Sequence, residues 1–263
     1  MMWEVINMFS EVARVAAAAS KASSGDLRIE GLGKKFGGVE VFKDLSFDLP
    51  RGGVLGVIGP NGAGKTTLIN VICGMLVPSS GRIVLDGEDT AGLKFHEMAR
   101  RGVVRSFQHT NTFRSETVRE NLTRATEFSR DEAEVRMDAH ALAREFGLDT
   151  FMNERSDGLP YGSQKMLGLL MAYLTRPKLL LLDEPAAGLE RSERMWIDRY
   201  VSLAREQLGC SVLIVEHDID LVKRLCPTSI VLDAGHLLAH GPTHEVLARK
   251  DVIAAYVGEH EEG

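Results

Sequence analysis

Within Gly53–Gly74, GVLGVIGPNGAGKTTLINVICG, an apolar run is followed by a glycine-rich turn, a lysine, two threonines and a second apolar run. That order leaves few folds open. Val54–Ile58 has the length and composition of a buried strand, and Thr66–Cys73 has the periodicity of a helix. Between them Gly59, Gly62, Gly64, Lys65 and Thr66 fit G-x-x-x-x-G-K-[ST], in the strand–loop–helix setting that the motif requires. Glycines let successive backbone N–H groups turn inward as a nest for an anion. The start of the helix adds the positive end of its dipole. Lys65 adds a point charge, worth about 4 kcal/mol at ~4 Å from a phosphate at a surface-like effective dielectric. The Thr66 hydroxyl is an oxygen ligand of the kind Mg²⁺ prefers. Pro60, Asn61, Ala63 and Thr67 complete the candidate loop.

A second motif is LLLLDEP, Leu179–Pro185. Four apolar residues place Asp183 at the carboxyl end of a buried strand, where open α/β sheets bind their ligands. There Asp183 would hold Mg²⁺ directly or through water, and Glu184 would polarise an attacking water as general base.

Around these motifs the chain alternates strand and helix. LRIEGLGKKF and VFKDLSFDL, separated by Gly37 and Gly38, predict an antiparallel flank before the phosphate loop. RIVLDG and VVRSFQ predict further strands, the latter from Val103 to Gln108. From Ser115 to about Leu174 the periodicity turns helical, through TVRENLTRATEF, RDEAEVRMDAHALAREFG and SQKMLGLLMAYL. LLLLDEP, SVLIVEH and SIVLDAG then predict buried strands alternating with helical RSERMWIDRYVSLAREQLG. The fold class is α/β: a parallel sheet with helices on both faces and a helical subdomain inserted at about residues 109–175.

Composition narrows the function classes. Of 263 residues 44% are hydrophobic and 26% charged, as in ordinary globular proteins, and the net charge of −6 argues against a nucleic-acid partner. Cys73, Cys210 and Cys226 are scattered through apolar runs and read as reduced core thiols. Residues 1–25 read as an N-terminal extension before a single domain at 26–263. In the extension Val5, Met8, Phe9, Val12 and Val15 fall near helical spacing, and Glu4, Glu11 and Arg14 break the signal-peptide pattern.

In this order the motifs resemble the nucleotide-binding subunit of an ATP-binding cassette (ABC) transporter, over almost everything from Asp26 to Glu261. The resemblance implies a P-loop NTPase (RecA-like) core, with ATP and Mg²⁺ as cofactors. It implies Gln108 of SFQ as the glutamine that reaches Mg²⁺ and the attacking water, and His217 of VEHD as the switch histidine near the γ-phosphate. It implies AAGLE as the loop after the catalytic glutamate and Phe36 of KKFGG as the aromatic stacked on adenine. Stacking needs only a π-face, so Phe serves. LPYGSQ occupies the signature position, so Pro160, Tyr161, Gly162 and Ser163 would face the γ-phosphate bound by the opposite subunit.

The family's common LSGGQ is altered here, with Pro160 in place of a phosphate-contacting serine. Gly162 and the helix N-terminus remain for anion contact. Glu190 stands where an aspartate or asparagine is usual, and KMLGLLMAYL is more apolar than the arginine-containing helix common after LPYG. LPYG and the tail ending VIAAYVGE are similar to the importers of branched-chain amino acids, and importers of urea and amides end in similar words. Partners implied are integral-membrane permeases, a second and different cassette subunit, and indirectly a solute-binding protein. The place implied is peripheral, on the cytoplasmic face of the inner (plasma) membrane. A non-transport cassette ATPase would carry a long coiled-coil insertion or zinc cysteines, and neither occurs between the motifs. A regulatory subunit would have lost turnover, against which Lys65, Asp183, Glu184, Gln108 and His217 are all present.

Overall fold

The computed structural model describes residues 26–106, 112–127 and 132–257. Two sheets organise it. The first is antiparallel, in the order β2 (Val39–Leu49), β1 (Leu27–Phe36), β4 (Ser80–Leu85), β5 (Glu88–Asp89). Leu27 and Ile29 of β1 point inward while Arg28 and Glu30 face out, and Arg28 pairs across the strands with Asp48 at 3.4 Å. This is the alternation of a sheet covered on one face.

The second sheet has the order β10 (His236–Pro242), β9 (Thr228–Asp233), β3 (Val54–Ile58), β8 (Ser211–Val215), β7 (Leu179–Asp183), β6 (Val103–Ser106). Its strands run parallel except β10, which pairs antiparallel with β9. Both faces are covered, which is why its strands read as unbroken apolar runs. In β7, Leu179 and Leu181 enter the apolar layer shared with the antiparallel sheet, and Leu180 and Leu182 enter the layer under the helices. Burying four leucines this way contributes about 1.5–3 kcal/mol each. It also fixes the height at which Asp183 leaves the sheet.

Helix α1 (Lys65–Ile72) follows β3 and packs between the sheets through Leu68, Ile69 and Ile72. Short α2 (Phe95–Arg100) precedes β6. Between β6 and β7 come α3 (Val118–Glu127), α4 (Glu132–Glu145) and α5 (Tyr161–Leu174). Thr117 and Glu120 start α3 reciprocally: Glu120 accepts from the Thr117 N–H at 2.7 Å, and Thr117 Oγ1 accepts from the Glu120 N–H at 3.2 Å. Helix α5 is buried almost all round, through Met166, Leu167, Leu169, Leu170, Tyr173 and Leu174. Its unusual apolarity is thus that of a central helix, packed against α3, α4 and the sheet layer.

Helices α6 (Arg194–Leu208) and α7 (Ile219–Leu225) flank β8, and α8 (Thr243–Leu247) and α9 (Lys250–Val257) close the chain. The strand expected to run to Gln108 is described as far as Ser106, so Gln108 lies outside the described residues, as do residues 1–25. Cys73, Cys210 and Cys226 are buried free thiols, and burial pushes Cys210 and Cys226 up to about 12.

Candidate functional site

The carboxyl ends of β3, β7 and β8 converge, and three loops leave the sheet there. After β3 the chain turns through Gly59 and Gly64, at φ +147° and +97°. A Cβ on Gly59 would run into the Leu232 carbonyl, and one on Gly64 would press on Phe42 at 3.3 Å. Only glycine combines these conformations with this packing. Helix α1 begins with no side-chain cap and no acidic residue in its first turn, so its positive end faces the loop. Lys65 is 9% exposed, and its Nζ donates to the Gly59 and Pro60 carbonyls at 2.6 and 2.7 Å. The lysine therefore lies under the loop rather than out in solvent. Asn61, Gly62 and Thr66 are exposed, Thr67 is half-buried and Ala63 is buried.

At the end of β7, Asp183 is 2% exposed. Its Oδ2 accepts from Arg105 Nη2 at 2.8 Å, while Oδ1 is buried with no hydrogen-bond partner among the described residues. Burial raises the Asp183 carboxyl above its ordinary value, and the Arg105 bond opposes that rise. Glu184, one residue on, has φ +48°, a conformation costly for a non-glycine residue. Its backbone is held from three sides. The N–H donates to Val215 O at 2.9 Å, and the carbonyl accepts from Lys165 Nζ at 3.0 Å and from the Ala187 N–H at 3.1 Å. The side chain is thereby turned out of the sheet, with Oε1 3.8 Å from His217 Nδ1.

His217 is exposed and follows β8. Asp218 behind it caps α7, its Oδ1 accepting from the Asp220 and Leu221 N–H groups at 3.1 Å. Glu216 in front of it is 1% exposed. Glu216 Oε1 accepts from the Ala186 N–H at 3.0 Å, and Oε2 accepts from the His217 N–H at 3.2 Å. One buried carboxylate thus ties the loop after Glu184 to the backbone of His217. Burial raises its pKa, against those backbone bonds.

Lys165, on α5, donates to the carbonyls of both Glu184 and Ala187, the latter at 2.7 Å, and desolvation lowers its pKa. Arg105, Lys165 and Glu216 form the supporting shell that reading the motifs missed. The available signal was a charge set in or at the end of an apolar run, as in VVRS and VLIVE.

Helix α5 starts at Tyr161, two residues before the predicted helical run, with Pro160 at the N-cap and no side-chain cap. Gln164 holds the entry, its Nε2 donating to Leu159 O at 2.8 Å. Gly162 is buried, Ser163 half-buried and Pro160 exposed. A Cβ on Gly162 would run into the Glu193 carboxylate, and one on Gly188 would come within 2.6 Å of the Tyr161 ring. The altered signature therefore packs on the loop that follows Glu184, with Tyr161 46% exposed above it. Phe36, at the end of β1, is also half-exposed, with Lys34 Nζ 4.7 Å from its ring centroid.

The structure brings Lys65, Asp183, Glu184 and His217 to one end of the sheet and leaves Phe36 and Tyr161 presented to solvent. A nest of amides, a lysine, a buried carboxylate and an outward-turned glutamate can bind a polyphosphate and act on a water beside it.

Comparison with known proteins gives the same direction. A family model described as ABC transporter matches residues 42–187. The high-affinity branched-chain amino acid transport ATP-binding protein BraF of Pseudomonas aeruginosa is 36% identical over 249 residues, covering 89% of this chain and 98% of that protein. The lipopolysaccharide export system ATP-binding protein LptB of Escherichia coli is 33% identical over 235 residues, covering 89% and 97%. Among solved structures, the ADP conformation of the ATP-binding cassette MJ1267 superposes with a TM-score of 0.78 at 29% identity, covering 89% of this chain and 99% of that one.

Proposed function

From the premise that this chain belongs to the ABC transporter family as an ATP-binding subunit, an ATPase coupled to transport, we propose that it drives a membrane importer of branched-chain amino acids. The hydrolytic part of this reading is carried by one observation. Glu184 is held in a left-handed backbone conformation that turns its carboxylate toward His217, beyond the strand end that carries Asp183.

The reaction is phosphoryl transfer from ATP to water, where catalysis is mostly positioning and charge stabilisation. The amides of Gly62, Gly64 and Lys65, and the Lys65 ammonium, bind the phosphates. Phe36 stacks on the base. Glu184 accepts the proton of the attacking water, and His217 stands beside the γ-phosphate. Thr66, Asp183 and Gln108 would hold Mg²⁺, which when bound neutralises charge on the phosphate oxygens. The residues fit that ion: Asp183 Oδ1 is a buried oxygen acceptor lacking a partner among the described residues, and Mg²⁺ is usually held by one or two carboxylates together with phosphates. Pro160, Tyr161, Gly162 and Ser163 face the nucleotide of a second, different cassette subunit. The helical block after Gln108, near NTFRSETVREN, carries closure to the permeases, and within it Asn121 Nδ2 donates to Phe113 O at 3.1 Å. Among the described residues no helix is long and apolar enough to cross a membrane. The chain acts through those permeases, on the cytoplasmic face.

The cargo assignment leans on the full-length likeness to BraF and on LPYG. The likeness to LptB at a similar identity favours a second reading, in which the same engine serves a different cargo. Proteoliposomes containing the chain, its permeases and its partner subunit, supplied with a solute-binding protein, separate these. ATP-dependent uptake of labelled leucine or isoleucine is the expected result. Uptake of urea or an amide instead moves the assignment to another importer, and ATP hydrolysis without any uptake contradicts the importer reading.

A further inference from the structure

Arg105 is a buried cation at the nucleotide end of the sheet, with its side chain 6% exposed. It stands on β6, the strand beside β7. Its Nη2 donates to Asp183 Oδ2 at 2.8 Å, and its Nη1 donates to Asn70 Oδ1 and lies 3.3 Å from Met75 Sδ. Asn70 is four residues after Thr66 on α1, so the two lie one turn apart on the same helix face. One planar guanidinium therefore joins the helix that starts with Thr66 to the strand that ends with Asp183. A fork of fixed geometry sets two directions at once, which an ammonium does not. Asp183 meanwhile keeps Oδ1 without a hydrogen-bond partner among the described residues. Stability alone is a poor reason for this arrangement, because a buried ion pair commonly does no better than apolar residues of the same volume.

We propose that Arg105 is a positioning residue for Mg²⁺. It holds Asp183 by one oxygen, leaves the other for the metal's ligand shell, and through Asn70 sets the spacing between Asp183 and Thr66. Its role is separate from phosphate binding and from proton transfer. Groups that orient metal-binding side chains typically change metal affinity 10–100-fold when lost.

The inference rests on the reading that Mg²⁺ accompanies the nucleotide, and the experiment separates the two. Binding of a fluorescent ATP analogue is measured in chelator and across a Mg²⁺ titration. Mn²⁺ binding is read by electron paramagnetic resonance in the presence of a non-hydrolysable ATP analogue. Both are done for the wild type, Arg105→Gln and Arg105→Lys, with thermal unfolding recorded for each. Wild-type binding that ignores the metal removes the Mg²⁺ reading, and this inference with it. With metal dependence in the wild type, Arg105→Gln is expected to weaken Mn²⁺ binding about 10–100-fold while nucleotide affinity in chelator holds. Arg105→Lys, which keeps charge but loses the fork, is expected to fall between. If Arg105→Gln does not fold, Arg105→Lys decides. Wild-type Mn²⁺ affinity in a folded variant, or an equal loss of nucleotide with and without metal, overturns the assignment.

Discussion

At the phosphate loop, Lys65 is bonded to two loop carbonyls and Asp183 lies 2% exposed against Arg105. At Pro160–Ser163, helix α5 begins with no side-chain cap and Tyr161 stands 46% exposed. In the first region Lys65 and Asp183 are held against this chain's own groups, while Asn61, Gly62 and Thr66 stay exposed. The second is held from beneath, by Lys165, Gly188 and Glu193, and open above. The difference supports the proposal that one half of a nucleotide site is built within the chain and that the other half is a surface for a second subunit. It also separates substitutions that act on this chain's own nucleotide from those that act on a partner's.

The largest effect is expected where the finished half does its chemistry. Glu184→Gln keeps the shape of the side chain and removes the base, so phosphate release should fall about 10²–10⁴-fold while ATP affinity holds. Steady-state turnover near that of the wild type would take Glu184 out of this role. Lys65→Ala comes next. Loss of a charge-assisted bond to phosphate is worth about 1.5–3 kcal/mol, so ATP binding should weaken on the order of 10–100-fold. The Lys65 bonds to the loop carbonyls add a smaller loss of stability without nucleotide. Isothermal titration against ATP beside a thermal melt separates the two, and a collapse of the melt with ATP affinity intact contradicts the assignment.

A smaller effect is expected at the open half. Pro160→Ser supplies the hydroxyl that the N-cap lacks and one more donor toward a facing phosphate. Turnover at the partner's site should rise by about 10-fold at most, with no change in this chain's own ATP affinity. A change in that affinity would show that the two halves are not separable in the way described.

The smallest effect concerns the tie between Glu184's loop and His217. Burial raises the Glu216 carboxyl above its ordinary value of 4.5. A carboxyl raised on folding contributes stability that is complete below its unfolded pKa and lost as pH rises through the folded one. Stability should therefore fall as pH rises from about the ordinary carboxyl value, and Glu216→Gln should flatten that part of a Tm-against-pH curve. An unchanged slope in the variant would leave Glu216 without this contribution.

What could be read from the sequence follows the range of each interaction. The phosphate loop and the strand ending in Asp183 rest on local order, since glycine spacing and an apolar run are written within a few residues. The two-layer arrangement was legible for the same reason, because a strand covered on both faces must be apolar throughout. Arg105 was not, since its partner Asp183 lies 78 residues away. Lys165 and Glu216 likewise act on backbone groups that only the folded chain brings to them, 22 and 30 residues away at Ala187 and Ala186. The apolar stretch of α5 was legible as a helix but not as the centre of a helical layer, because its neighbours α3 and α4 determine how much of it is buried. Phe36 taken alone reads as core, and only the fold shows its ring half-exposed.

The central claim is that this chain completes its own half-site and needs a different subunit for the other. The most direct measurement is ATP hydrolysis by the purified chain across a wide concentration range, repeated with its candidate partner subunit and permeases. The account predicts slow turnover that stays proportional to the concentration of the isolated chain, and a marked rise on assembly that is lost when the partner's signature segment is altered. Fast, cooperative hydrolysis by the isolated chain would contradict it.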